Sequence, residues 1–189
     1  MAKNNAFLLV GPAIPGLEEL HDALAGRAAQ LNTARLAVPH VTQADLVRAG
    51  AEILRTHHAH GLRRSDVEGT WARVCRKAFK VRGDVVIAQD SFVGATGEQL
   101  QLALDSLSGH RVQVVLTPSY DDAALADAWR PLVKKGRVHV ITARDLDSLV
   151  SDLQALALQE QAARLEKRMR KLRKKQKKVA RALEAVDAA

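Results

Sequence analysis

The chain has a single cysteine, Cys75, among 189 residues. That excludes an internal disulfide and any metal site built from several cysteines. The bland place for one such residue is a buried helical position. Only 3% of the residues are aromatic, so the core has to be assembled from Ala, Leu and Val. No apolar run approaches the roughly 18 residues that a membrane-crossing helix needs. The opening MAKNNAFLLVG has too short an apolar stretch for a signal peptide, and no small-residue cleavage site. We therefore expect a cytoplasmic protein with no membrane partner. Glycine and proline are both absent after Gly136, which removes the helix breakers from the rest of the chain.

What is present is a 47% hydrophobic, 26% charged composition, suited to one α/β domain with a proper core. The net charge of +8 is unevenly placed. Residues 1–163 carry 18 cationic and 18 acidic side chains, whereas residues 164–189 carry 11 Lys/Arg against three Asp/Glu. The basic character belongs to the tail and says nothing about a ligand of the body.

Short apolar runs at 6–10 and 84–88 read as buried strands, the first on both faces, and 111–117 and 137–142 as a third and a fourth strand. Helical spacing follows the first run at Leu17, Leu20, Leu24 and Ala28. A helix over 42–56 is expected from Thr42 as N-cap and Asp45 in the first turn. THHAHGLRRSD (56–66) reads as a polar loop, with Ser65 or Asp66 capping a helix that carries Trp71, Val74, Cys75 and Ala78. Thr96 and Gln99 form a capping box for a helix reaching Leu107. A further helix over 121–135 is expected to stop at Gly136. Strands alternating with helices predict a parallel sheet covered on both faces. Its binding crevice should lie at the carboxyl ends of the strands, in the loops 11–16, 89–95 and 117–122.

From Leu146 onward an amphipathic stripe of Leu146, Leu149 or Val150, Leu153 and Leu156 is expected to dock on the body. Then Leu165, Met169, Leu172, Gln176, Val179, Leu183 and Val186 follow alternating steps of four and three. That spacing is a coiled-coil seam, 165–186, with Gln176 as its one polar member. The chain thus divides at 145 into an α/β body (1–145) and a C-terminal basic helix or coiled coil (146–189).

Three stretches of the body resemble bacterial sulfotransferase-like proteins: FLLVGPAIPGLEEL (7–20), DVVIAQDSFVGATGEQLQLALDSL (84–107) and RVQVVLTPSYDDAALADAWRPLVKKG (111–136). They occur in the family's order. The resemblance implies a three-layer, P-loop-like α/β fold of the kind that binds the sulfate donor PAPS, in a shortened member. It also implies a disabled site. Gly11 and Gly16 of the first loop are kept, but the family's lysine position is Ile14 and its hydroxyl positions are Pro15, Leu17 and Glu18. Proline removes a backbone donor, and Glu18 with Glu19 would occupy the helix dipole that a phosphate uses. The family's arginine falls at Ser119 and its helical serine at Asp127, beside the acidic Asp121 and Asp122. Its His-Glu pair falls at Gln89 and Asp90, leaving a carboxylate without the histidine that would accept a proton. The resemblance therefore implies no bound cofactor and no catalysis. Asp90 is the one catalytic candidate should the chain prove to be a small transferase with an altered donor.

HHAH (57–60) lacks the spacing of a metal site, and no G-x-S-x-G elbow marks a hydrolase. Trp71 and Trp129 fall on apolar helical faces and are assigned to the core. The segment 164–181 has no aromatic residue for base stacking, so a nucleic-acid contact there would be to phosphates. Its candidate polyanion-binding residues are Lys167, Arg168, Arg170, Lys171, Arg173, Lys174, Lys175, Lys177, Lys178 and Arg181. The functional expectation is a non-catalytic binding or scaffold protein whose tail contacts nucleic acid, another polyanion or a helical partner. A purely structural coiled-coil homo-oligomer is the remaining alternative.

Overall fold

A computed structural model describes residues 3–11, 19–117 and 122–187. Five parallel strands form one sheet: β1 (Asn5–Val10), β2 (Leu36–Ala37), β3 (Asp84–Ala88), β4 (Arg111–Leu116) and β5 (Val138–Val140), in the order β2-β3-β1-β4-β5. The most buried strand is central. Leu8 of β1 lies opposite Ile87 on one side and Val114 on the other. Alternation along β1 sends Ala6, Leu8 and Val10 into one core and Phe7 and Leu9 into another. Burying a Leu or Phe completely in this way contributes about 1.5–3 kcal/mol each.

The strand order explains why there are two cores. The chain leaves β1 toward β2 across β3, whereas every later crossover runs the opposite way along the sheet. Right-handed crossovers in opposite directions place their helices on opposite faces. One face is covered by α3 (Gln43–Leu54), α5 (Thr70–Lys80), α6 (Gly97–Asp105) and α7 (Asp122–Trp129). Here Trp71 of α5 donates from Nε1 to the Ala103 carbonyl at 3.1 Å and meets Phe92 edge-on, with centroids 5.4 Å apart. The other face receives only the short α1 (Leu20–Gly26) and α2 (Ala28–Asn32) from its crossover. The amino-terminal part of α8 (Leu146–Asp187) completes it, contributing Leu149, Val150, Leu153 and Ala157, all fully buried.

Local chemistry sets most element ends. Thr42 and Asp45 form a reciprocal capping box at α3, and Thr96 and Gln99 form another at α6. At α8 the Asp145 carboxylate accepts from the Ser148 N–H at 2.7 Å.

Several expectations need correction. β2 was not anticipated; two residues, Leu36 and Ala37, pair with Asp84 and Val85. The 56–66 segment is a 3-10 turn, His57–His60, followed by the one-turn helix α4 (Arg64–Val67). Asp66 caps α4 and Ser65 caps nothing; the N-cap of α5 is instead Gly69, with φ +74°. Its first free N–H groups, on Gly69 and Trp71, donate to the two carboxylate oxygens of Glu52, each at 2.7 Å. α7 ends at Trp129, well before Gly136. Arg130 precedes Pro131, and a residue in that position is disfavoured from continuing a helix.

Candidate functional site

The carboxyl edge of the sheet is where the sequence places its crevice. β1 connects toward β2 and β4 connects toward β5, so the topological switch lies between β1 and β4. Gly11 and Thr117 occupy that point. Thr117 donates its N–H to the Val10 carbonyl at 2.9 Å. A Cβ on Gly11 would stand 2.1 Å from Thr117 Oγ1 and 2.2 Å from its carbonyl oxygen. Gly11 thus leaves no room for a side chain against Thr117 at this point.

Gln89, which the resemblance would align with a histidine, is tied into packing. Its N–H donates to the Leu9 carbonyl at 2.8 Å, and its Nε2 donates to the Leu46 carbonyl at 3.2 Å and to Ser91 Oγ at 2.8 Å. Gly50 of α3 makes room for this contact, since a Cβ there would lie 2.5 Å from Gln89 Nε2. Asp90 is half-buried, and its Oδ1 accepts from the adjacent Ser91 N–H at 2.8 Å. Among the described residues no hydrogen bond or ion pair joins Asp90 to a second titratable group. Asp127, which the resemblance would align with a serine, is exposed on α7 and paired with Arg130. Ile14, Pro15, Gly16, Leu17, Glu18, Ser119 and Asp121 lie outside the described residues; Asp122 opens α7.

Other titratable groups are spent on structure. His21 is fully buried, and burial pushes its pKa below the ordinary value against the opposing pull of the Pro39 carbonyl, Asp22 and the Val41 carbonyl. The Cys75 thiol is buried on α5 and pushed up to about 12 by desolvation. The His57 and His58 rings lie close but tilted by 41°, with centroids 4.1 Å apart. Beside them a surface cavity of about 440 Å³ is lined by Glu52, Arg55, His57, Arg64, Val67 and Glu68. Its two carboxylates offset its two guanidinium groups, and Glu52 is already engaged as the cap of α5.

The second candidate is the carboxyl-terminal helix. α8 crosses the sheet antiparallel to the strands and leaves at their amino ends. Its docked part is fixed by polar contacts as well as apolar ones. Gln154 donates to the Gln30 carbonyl at 2.6 Å, and Gln161 donates to the Ala34 carbonyl at 2.7 Å. Arg164 makes a two-pronged contact with Asp84 at the start of β3, Nη1 to Oδ1 at 3.0 Å and Nη2 to Oδ2 at 2.5 Å. Asp84 is 2% exposed and also accepts the Asn5 N–H at 2.7 Å.

Beyond Arg164 the helix departs from the body. Leu165, Met169, Leu172 and Val179 are 52–60% exposed, and Gln176 is exposed between them. Leu183 and Val186 continue the same helix, their side chains outside the description. At 1.5 Å per residue the segment from 165 to 187 extends about 34 Å. All ten candidate cations from Lys167 to Arg181 are exposed on it. Among the described residues its one ion pair is Glu166–Arg170, at 3.8 Å. Arg164, which opens the basic run in sequence, is withdrawn from it by Asp84. Nothing in local sequence marks that pairing, except an acid at the head of an otherwise apolar strand.

No family model matches the chain, and no curated protein matches it. Among solved structures, a de novo designed protein determined by solution NMR aligns with 83% of this chain and 90% of its own. The identity is 18% and the TM-score 0.40, and a likeness at that level carries no argument. The two candidate sites stand at opposite ends of the sheet: the Gly11–Thr117 contact at the carboxyl edge, and a basic helix leaving the amino edge. Among the described residues no helix is long and apolar enough to cross a membrane.

Proposed function

We propose that this is a non-catalytic binding or scaffold protein of the cytoplasm. Its body follows a sulfotransferase-like plan without the means to hold PAPS, and its projecting helix grips the phosphates of a nucleic acid. The observation that carries the reading is the row of ten exposed cations beyond Arg164, set against a body whose charges balance. Lysine and arginine without aromatic neighbours contact backbone phosphates and leave base sequence unread.

The helix also has a physical reason to bind. Lys167 and Lys171, Arg170 and Lys174, and Lys174 and Lys178 are like charges one turn apart, which weaken an isolated helix by about 0.2–0.5 kcal/mol per pair. A polyanion along that face turns the repulsion into attraction. The sulfotransferase-like part of the reading is supported by a parallel sheet with β1 between β3 and β4. The use of Gln89 for packing, at the position the resemblance aligns with a histidine, supports the non-catalytic part.

The test is fluorescence anisotropy of the full chain with a labelled duplex, repeated over a salt series. If about five phosphates are neutralised, log K should fall against log salt with a slope of about −4 to −5. Truncation after Leu165 keeps Arg164 on Asp84 and should abolish binding; undiminished binding would overturn the assignment to the helix. Calorimetric titration with PAPS should show no heat of binding, and micromolar affinity would sink the disabled-site reading.

A further inference from the structure

The projecting helix has two chemically different faces, and nucleic acid accounts for one of them. Lys167, Lys171, Lys174, Lys178 and Arg181 lie on the side away from the seam. Leu165, Met169, Leu172 and Val179 form an apolar stripe on the other side, interrupted by Gln176, each of the four more than half exposed. Phosphates give no reason for four large apolar side chains in register. With Leu165 at a d position and Met169 at an a position, the flanking e and g positions hold Glu166, Arg168, Arg173 and Lys175. Three of these four flanks are cationic.

That flank selects the occupant. A parallel second copy would set Arg168 of one helix against Arg173 of the other. An antiparallel copy brings Lys175 against Arg168 on one flank and Glu166 against Arg173 on the other, or sets Lys175 and Arg173 each against its own equivalent. Like charges at these positions oppose pairing. A helix with apolar a and d residues and carboxylates at e and g meets both demands of the surface, covering the stripe and neutralising its rim. Gln176 asks for a polar residue opposite it, which fixes the register of such a partner.

We propose that the seam of residues 165–179 docks an acidic amphipathic helix from another protein, leaving the opposite cationic face open. The inference goes beyond the polyanion reading, because it uses the other side of the same helix. The partner class is helix-in-groove recognition with charge-specified pairing.

The probe is a labelled three-heptad peptide with Leu at a and d, Asn at the a position facing Gln176, and Glu at e and g. A scrambled peptide of the same composition is the control. Anisotropy with the full chain should give low-micromolar binding of the patterned peptide and at least tenfold weaker binding of the scrambled one. Leu165→Ser with Leu172→Ser should lose that binding at least tenfold while duplex DNA binding is retained. Lys171→Gln with Lys174→Gln and Lys178→Gln should do the reverse. All five positions are exposed, and a thermal melt of each variant checks that the body is intact. Equal affinity for both peptides would overturn the proposal, as would a dimer in sedimentation that the patterned peptide does not dissociate. Equal loss of DNA binding in the seam variant would also overturn it. Failure of DNA binding alone sinks the polyanion reading and leaves this one standing.

Discussion

Arg164 and Asp84 form a two-pronged ion pair between the C-terminal helix and the first residue of β3, with the Asp84 carboxylate 2% exposed. It marks the last point at which α8 belongs to the body. Every described side chain beyond it on that helix is exposed.

Removing Arg164 strands a buried carboxylate, which among the described residues retains Asn5 and a long contact from Gln161. Breaking one partner of a buried pair typically costs about 3–5 kcal/mol. We expect Arg164→Leu to lower stability by about 3 kcal/mol in a denaturant titration. Hydrogen exchange should quicken in 154–164, and unchanged stability would mean that the pair does not hold the helix.

Gly11→Ala should be among the most damaging single substitutions in the body. The new methyl would meet the Thr117 carbonyl oxygen at 2.2 Å as well as its hydroxyl. Because one obstacle is backbone, Thr117→Ala should fail to rescue it. Recovery of the melting temperature in the double variant would show that the two strand ends are not locked together.

Burial lowers the pKa of His21, His110 and His139, with Asp84 opposing the shift at His110 and Glu160 at His139. Each ring is more readily protonated in the unfolded chain than in the folded one. The unfolded chain therefore takes up more protons as pH falls through about 6.5. Stability should be level above that pH and decline below it. Replacing His21 by Gln should flatten part of the decline, read from melting temperatures between pH 7.5 and 5; an unchanged profile would exclude His21 as a source.

Cys75 combines burial with a thiol pushed up to about 12. At pH 8 a thiol reagent should react only through unfolding, so its rate should follow denaturant concentration. Rapid labelling of the native protein would contradict the packing of α5.

Repulsion along 167–181 makes the free helix sensitive to screening. Mean helicity by circular dichroism should rise when salt or a short duplex is added to the full chain. The rise should be missing after truncation at Leu165, and a truncated protein that responds equally would place the change in the body.

Much of this was readable because its causes are local. The boxes at Thr42 and Thr96 act over three residues, and the central strands are continuous apolar runs. The departures have non-local causes. Leu36 and Ala37 are a strand only because β3 lies alongside, and α5 is capped by Glu52 from another helix. A sequence rule that looks for the cap beside the helix finds Ser65 and Asp66 instead.

By itself the sequence determined the α/β alternation, the confinement of excess charge to the tail and the spacing of the seam, because composition and periodicity are properties of neighbouring residues. The tertiary structure alone decided that Gln89 is spent on packing and that Gly11 packs tightly on Thr117 at the switch point. It also decided that Arg164 is neutralised, so that the free cations begin at Lys167. Those outcomes depend on which atoms meet across the sheet, and only the right-handed winding of its crossovers brings them together.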